Sequence, residues 1–343
     1  MFDLIKRLSE LTGPCGEEDL VVDAVEHEWR EVGARTERTR TGSVIAHLGG
    51  NGPKTMLVAH ADELCYLVRS IDPRGFLWLA NGQSWTRLVG MRNLFTVGQR
   101  VRILARSGEI PGIIATVTGH VASSRLPELH DADWDDFWID SGLSHAELVA
   151  RGVTPGSRVI WDAPCERLGR QIVGKALDDR VGLAIICELA RRLVGSTLSC
   201  DLALVCTIQE EIGAIGAAGV AAIEKFDRAI VIETGLVGDV PNVGELAVPA
   251  RLGGGPILVH KDALVHYDRK LTRELESAAN RAEVTVQHAV FGGFGSDGSE
   301  LMRADIPSAM IAFPTRYTHT PFEMSDLGDI EGVVEILEAF VRA

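Results

Sequence analysis

Four apolar runs in this chain lead into side chains that can hold a metal ion. Residues 202–209 run into Glu210-Glu211, residues 56–59 into His60 and residues 229–232 into Glu233, while the run 309–313 is followed shortly by His319. Short, uniformly apolar runs of this kind predict strands buried on both faces, as in parallel sheets. Parallel strands share one carboxyl edge, and open α/β sheets gather their chemistry there. Two adjacent carboxylates at the exit of a buried strand are costly unless a cation sits between them. Fold and chemistry are thus constrained together: an open sheet with nitrogen and oxygen ligands along one edge.

The 343 residues leave room for two domains, or for one large domain carrying an insertion. With 46% hydrophobic and 24% charged residues, the composition is that of a globular protein with a sizeable core. Lys and Arg number 34 against 48 Asp and Glu, a formal charge of −14. Such a surface repels phosphate backbones and anionic lipid, so neither nucleic acid nor membrane is an expected partner. The six cysteines show no CxxC spacing, which argues against a zinc knuckle or redox pair. The N-terminus lacks a secretory pattern and no apolar stretch approaches bilayer length, so a cytoplasmic setting is expected.

Helical spacing at Leu4, Leu8 and Leu11 precedes a Gly13-Pro14 break, and a second helix carries Val21, Val25 and Trp29 on one face. Residues 42–59 predict two strands joined by the turn at Gly49–Pro53, the second delivering His60. Between about 73 and 165 short β-like runs and recurrent glycines dominate, suggesting an inserted β-domain. Within it, Asp131–Asp140 reads as a solvated connector and Ser144–Glu147 as a capping box. After residue 166 strands and helices alternate again. The expectation is an α/β fold: a mostly parallel sheet flanked by helices, with residues 1–72 and 166–343 forming the main domain and 73–165 a small β-barrel-like insertion.

His60-Ala61-Asp62 lets a strand-end histidine bind metal while an aspartate two residues on orients its ring. Asp178-Asp179 can cap a helix, or Asp178 can bridge two cations while Asp179 or Arg180 holds the loop. In Glu210-Glu211 one carboxylate can bind metal while its neighbour takes a proton from an activated water. Glu210 and Glu211 as a glycosidase pair are disfavoured, because adjacent strand residues point to opposite faces. With Glu233 and His319 the donor set is mixed N and O, suiting zinc, cobalt or manganese. The glycine-rich segment 292–298 lacks a P-loop ending, and its Ser296 and Asp297 are candidate substrate contacts, Asp297 for an amine. The remaining histidines (His27, His47, His120, His130, His145, His260, His266 and His288) lack such context and are expected to be surface or core residues.

These segments, in this order, resemble the glutamyl/tetrahedral aminopeptidase family of dinuclear metallopeptidases. The matching pieces are AHADE at 59–63, GKALDDRVG at 174–182, QEEIGAIGA at 209–217, VIETG at 231–235, FGSDG at 294–298 and RYTHTPFE at 316–323. The resemblance implies two divalent ions per chain, Zn2+ or Co2+ with Mn2+ possible. His60, Asp178 and Glu233 would hold one, and Asp178, Glu211 and His319 the other, with Asp178 bridging. It implies Glu210 as general base, Asp62 as partner of His60, and a hydroxide between the metals as nucleophile on the first peptide bond of short peptides with a free N-terminus. The insertion would mediate dimerisation, and dimers would build a tetrahedral dodecamer. Glu233 stands where the family often has aspartate. The alternatives are a metal-dependent deacylase or carboxypeptidase acting on N-acyl amino acids, and a catalytically impaired scaffold homologue.

Overall fold

The computed structural model describes residues 1–82, 97–117, 134–243 and 248–342. His120, His130 and the first three residues of the Asp131–Asp140 stretch lie outside them. The chain divides into two units. The first comprises Met1–Glu63, Pro164–Thr318 and Phe322–Ala343, the second Leu64–Ala163 and His319–Pro321.

The first unit opens with helices α1 (Phe2–Glu10) and α2 (Asp19–Glu31), followed by strands β1 (Arg35–Arg38), β2 (Val44–Gly49) and β3 (Lys54–His60). The second unit holds β4 (Tyr66–Ile71), β5 (Leu77–Asn81), β6 (Arg100–Ala105), β7 (Gly108–Ala115), β8 (Trp138–Asp140), α3 (His145–Ala150) and β9 (Arg158–Trp161). Back in the first come β10 (Glu166–Leu168), β11 (Gln171–Gly174), α4 (Leu177–Arg192), β12 (Asp201–Thr207), α5 (Ile215–Ile223) and β13 (Arg228–Leu236). β14 (Ile257–Lys261), α6 (Arg269–Arg281), β15 (Gln287–Val290), α7 (Gly298–Arg303), β16 (Ser308–Arg316), β17 (Glu323–Asp326) and α8 (Leu327–Arg342) complete it.

The first unit is built on an eleven-stranded sheet of order β1-β2-β12-β3-β13-β16-β17-β11-β10, with β14 and β15 branching from β16. Its centre, β12-β3-β13-β16, is parallel. β2 and β3 are not neighbours, because β12 lies between them, antiparallel to β2 and parallel to β3. Side chains alternate across the pleat: Leu57 and Ala59 join one core with helices α1, α2, α4, α6 and α8, while Met56 and Val58 join a second with α5 and α7. Each Val, Leu or Ile fully buried in these layers contributes about 1.5–3 kcal/mol relative to exposure. Among the described residues no helix is long and apolar enough to cross a membrane.

Register sets the site. Thr207 is the parallel partner of His60, and Glu233 lies two residues beyond the Val231–Val58 pair, on the same level. β12 stops at Thr207, so the apolar run 202–209 overshoots the strand by two residues. Glu210 and Glu211 sit in the following turn rather than on a strand, and strand alternation does not separate them.

In the second unit β4-β5-β8-β7-β6-β9 close into an antiparallel barrel. It starts earlier than residue 73, because β4 pairs with both β5 and β9. Asp131–Asp140 is not simply a solvated connector. Phe137 and Ile139 are buried in the barrel core, and β8 pairs with β5 and β7. The capping box forms as expected, with Ser144 Oγ accepting from the Glu147 N–H and Glu147 Oε2 accepting from the Ser144 N–H.

Candidate metal centre

His60 ends β3, and its Nε2 is 3.1 Å from Oδ1 of Asp178 and 3.8 Å from Oε2 of Glu233. Two overlapping sets each bring one ligand atom per residue within 4.8 Å: His60 with Asp178 and Glu211, and His60 with Asp179 and Glu233. All five residues are buried. The donor set is one imidazole and several carboxylates, and this suits a first-row divalent cation.

Local backbone positions these groups. Asp178 and Asp179 do not continue the regular helix: both have non-helical dihedrals at the head of α4, and the peptide bond between them is cis. Asp179 Oδ2 accepts from the His60 backbone N–H at 3.2 Å and Oδ1 from the Gly182 N–H at 3.1 Å. A Cβ on Gly182 would come 2.3 Å from that carboxylate, so only glycine fits. Asp179 therefore holds the loop, as its sequence context suggested, and also stands within ligand distance of Glu233. Gln209 takes a left-handed φ of 53° just before the two glutamates, and Ala176 one of 51° two residues before Asp178. Such strain is kept where surrounding structure over-determines the backbone.

Asp62 ties these pieces together. Its Oδ1 accepts from the Glu210 N–H at 2.9 Å and lies 3.4 Å from His60 Nδ1. Its Oδ2 accepts from the Glu211 N–H at 3.0 Å and from Cys15 Sγ at 3.2 Å. Burial would raise the Asp62 carboxyl, but His60 and the two N–H groups hold it below the usual range. Burial likewise works to lower His60, yet its contacts with Asp178 and Asp62 and the charge of Glu233 push it well above an ordinary histidine. Glu210 is pushed well up by desolvation and by the charges of Glu211, Asp297 and Asp62. Glu233 follows suit through desolvation, Asp178 and Asp179. Burial and mutual repulsion thus favour the protonated forms of Glu210 and Glu233, a demand that a divalent cation among these donors would meet.

His319 has a left-handed φ of 63°, groups with the second unit and belongs to neither ligand set. Ser296 is fully buried, its Oγ 2.6 Å from Tyr267 Oη and accepting from the Gly298 N–H at 3.1 Å. Asp297 accepts from Thr207 Oγ1 at 2.5 Å through Oδ2, while its buried Oδ1 has no hydrogen-bond partner. Burial moves its carboxyl up to about 6.

Sequence reasoning missed Cys15 and a buried ionic network behind the ligands. Lys175 Nζ donates to Glu63 Oε2 at 2.6 Å, and Arg180 lies 3.5 Å from Glu63 Oε1. Arg180 also donates to the carbonyls of Leu8, Leu11 and Gly13. Glu63, Lys175 and Arg180 stand inside the motifs at 59–63 and 174–182, but the Lys175–Glu63 pairing spans 112 positions and the Cys15–Asp62 pairing 47, so neither leaves a local signal.

The profile of the M42 glutamyl aminopeptidase family matches residues 42–336. A putative aminopeptidase, FrvX, of Escherichia coli (strain K12) is 30% identical over 344 residues, covering 99% of this chain and 94% of the relative. Among solved structures, the TET aminopeptidase of the marine sediment archaeon Thaumarchaeota archaeon SCGC AB-539-E09 superposes with a TM-score of 0.90 at 29% identity, over 99% of this chain and 95% of that one. The Pyrococcus horikoshii TET1 peptidase, described as assembling into a tetrahedron or a large octahedral shell, gives 0.86 at 25% identity, over 98% of both chains. With the strand-edge ligand cluster, these matches make the protein a metal-dependent aminopeptidase, and the chain belongs to the M42 glutamyl aminopeptidase family.

Proposed function

We propose that this protein is a dinuclear aminopeptidase that removes the N-terminal residue of short peptides, with Glu210 as its general base. The observation that carries this reading is the double grip of Asp62 on the backbone N–H groups of Glu210 and Glu211. That grip holds the two backbones side by side and supports a division of labour in which Glu211 would bind metal while Glu210 handles protons.

His60, Asp178, Glu211 and Glu233 would hold the two ions, with Asp178 between them and His319 as the remaining ligand. Bound zinc, cobalt or manganese would supply Lewis acidity, acidifying water and polarising the scissile carbonyl. Glu210, raised by burial and by neighbouring charge, takes a proton from the attacking water and returns it to the departing amine nitrogen. Asp62 keeps the His60 ring and the Glu210 backbone in register during both transfers. Asp297, whose Oδ1 is unpartnered, is the group proposed to meet the substrate's α-ammonium, and Ser296 would fix the loop that presents it. A requirement for a free amine separates this reading from a deacylase or carboxypeptidase.

The assembly proposed is a dimer built through the inserted barrel and multiplied to a tetrahedral dodecamer, supported by the assembly described for the TET1 peptidase. Twelve chains of 37.1 kDa would weigh about 445 kDa by light scattering. A cytoplasmic location belongs to the same proposal.

The test is hydrolysis of matched peptides with free and acetylated N-termini by chelator-stripped protein, with Zn2+, Co2+ or Mn2+ added back. Cleavage restricted to the free-amine series and restored by metal is expected. Glu210→Gln should lose at least a thousandfold in kcat while binding the same amount of metal, roughly the combined range of general-base and electrostatic contributions. Full activity in that variant would remove Glu210 from the mechanism.

A further inference from the structure

The first unit carries a second set of ligand side chains, away from the peptidase edge. Glu37 on β1, His47 on β2 and Glu224, which ends α5, each bring one ligand atom within 4.8 Å of the others. His47 Nε2 is 3.1 Å from Glu37 Oε1 and 3.8 Å from Glu224 Oε2. The register explains the meeting: His47 opposes Arg35, so Glu37, two residues on, shares its face. Along the sheet His47 is level with Ala203, whereas His60 is level with Thr207. Four residues of strand, about 13 Å, separate the two levels.

The arrangement leaves an unmet demand. A ring nitrogen carries at most one proton and can donate to one of the two carboxylates. Glu37, the nearer, takes it. Oε2 of Glu224 then stays buried with no hydrogen-bond partner. The other oxygens are already turned elsewhere, that of Glu224 to Lys54 and that of Glu37 to Arg35 at 3.7 Å. So each carboxylate presents one remaining oxygen to the same nitrogen. A single divalent cation among the three atoms satisfies all of them. The distances of 3.1 and 3.8 Å bracket the edge, about 3.4 Å, of a tetrahedron with bonds of zinc length. Glu37 is 46% exposed, which leaves an approach from solvent and an open position for water.

We propose that Glu37, His47 and Glu224 form a divalent-cation site, suited to Zn2+, that is separate from catalysis and ties the edge strands β1 and β2 to the end of α5. Lys54 and Arg35 offset part of the carboxylate charge, which makes the affinity lower than at a fully buried site.

The test counts metal. Stripped wild type, His47→Ala and Glu37→Gln are dialysed against the same buffered free Zn2+, and bound zinc per chain is measured by elemental mass spectrometry. Hydrolysis of a free-amine peptide is followed at saturating metal. Each variant should hold one zinc fewer per chain than wild type and turn over at the wild-type rate. Glu37→Gln alters an exposed side chain, so it reports even if His47→Ala folds poorly. Equal zinc in wild type and Glu37→Gln overturns the proposal and leaves His47 as a proton-sharing bridge between two carboxylates. A Glu37→Gln protein that loses zinc and activity together also overturns it, because the site would then not be separate. The readout is a difference between proteins with identical catalytic residues, so failure of the peptidase reading shifts the absolute counts and not the difference.

Discussion

Asp62→Asn tests the centre where it is most tightly specified. The native carboxylate accepts from three donors, the N–H groups of Glu210 and Glu211 and Cys15 Sγ, and lies 3.4 Å from His60 Nδ1. An asparagine keeps one oxygen and turns an NH2 group towards two of them. The cheaper orientation leaves the oxygen on Glu210 and His60 and sets the NH2 against the Glu211 N–H, where the Cys15 sulfur can accept a weak hydrogen bond. Two donors then face each other at Glu211, and the negative charge beside His60 is gone. Losing one buried hydrogen bond to a charged group costs about 1.5–3 kcal/mol. If that loss is felt in the transition state, kcat/KM falls roughly 10- to 150-fold, at 1.36 kcal/mol per decade. With Glu211 as a proposed ligand, metal affinity should fall with it. The assay is steady-state hydrolysis of a free-amine dipeptide across a metal titration, for wild type, Asp62→Asn and Asp62→Ala. Asp62→Ala, which frees both backbone N–H groups, should be worse than Asp62→Asn. Activity within threefold of wild type, at unchanged metal affinity, would refute the idea that Asp62 sets the pose of the two glutamates.

Lys175→Met takes the nearest cation from the buried Glu63 carboxylate, leaving it Arg180 at 3.5 Å and the Gly13 N–H, and should cost up to about 3–5 kcal/mol. Adding Glu63→Gln leaves buried Arg180 without its carboxylate and should not restore the wild-type midpoint in thermal unfolding; a Lys175→Met midpoint equal to wild type would mean that the ion pair adds nothing to stability. Glu18, buried near Asp62, has its carboxyl raised to about 7 by burial and by that charge. Its folded value lies above its unfolded one, so this group's contribution to stability falls as pH rises from about 4.5 to 7 and is level beyond. Glu18→Gln should therefore gain up to about 3 kcal/mol relative to wild type between pH 4.5 and 8, less the hydrogen bond from Gly16, and a pH-independent difference would contradict this. Zn2+ added to stripped protein at pH 7 should release protons from Glu210, Glu233 and Asp179, all pushed well above the ordinary carboxylate range by burial. An indicator dye in weak buffer reads the release, and none would mean those groups are already ionised.

The strand end at His60 was legible because an apolar run with a polar terminus is a local feature. β13, by contrast, runs on to Leu236, three residues past Glu233, and Thr207, the partner of Asp297, was not singled out by its run. The exit of β12 was misjudged by two residues, since Ile208 and Gln209 extend the run in sequence while the left-handed backbone at Gln209 ends it in space. Pairings such as Glu63 with Lys175, or Thr207 with Asp297, depend on the fold bringing distant segments together. Strand order was hidden for the same reason: β12, called from far along the chain, inserts between β2 and β3. The acidic flanks of Trp138–Asp140 masked a strand because the barrel buries only alternate residues there, Ile139 within the strand and Phe137 just before it.

The pairing of β4 with β9 also bears on how this chain can be edited. They are the first and last strands of the barrel and lie side by side, with Tyr66 opposite Val159. Neighbouring strands are about 4.8 Å apart, so the polypeptide leaves and re-enters the barrel through almost the same point. The barrel is thus closed by a pairing between the two ends of its own stretch of chain. Opening the turn between β6 and β7 would leave β6 held by β7 and β9, and β7 by β6 and β8, so a cut placed there should be tolerated by the barrel.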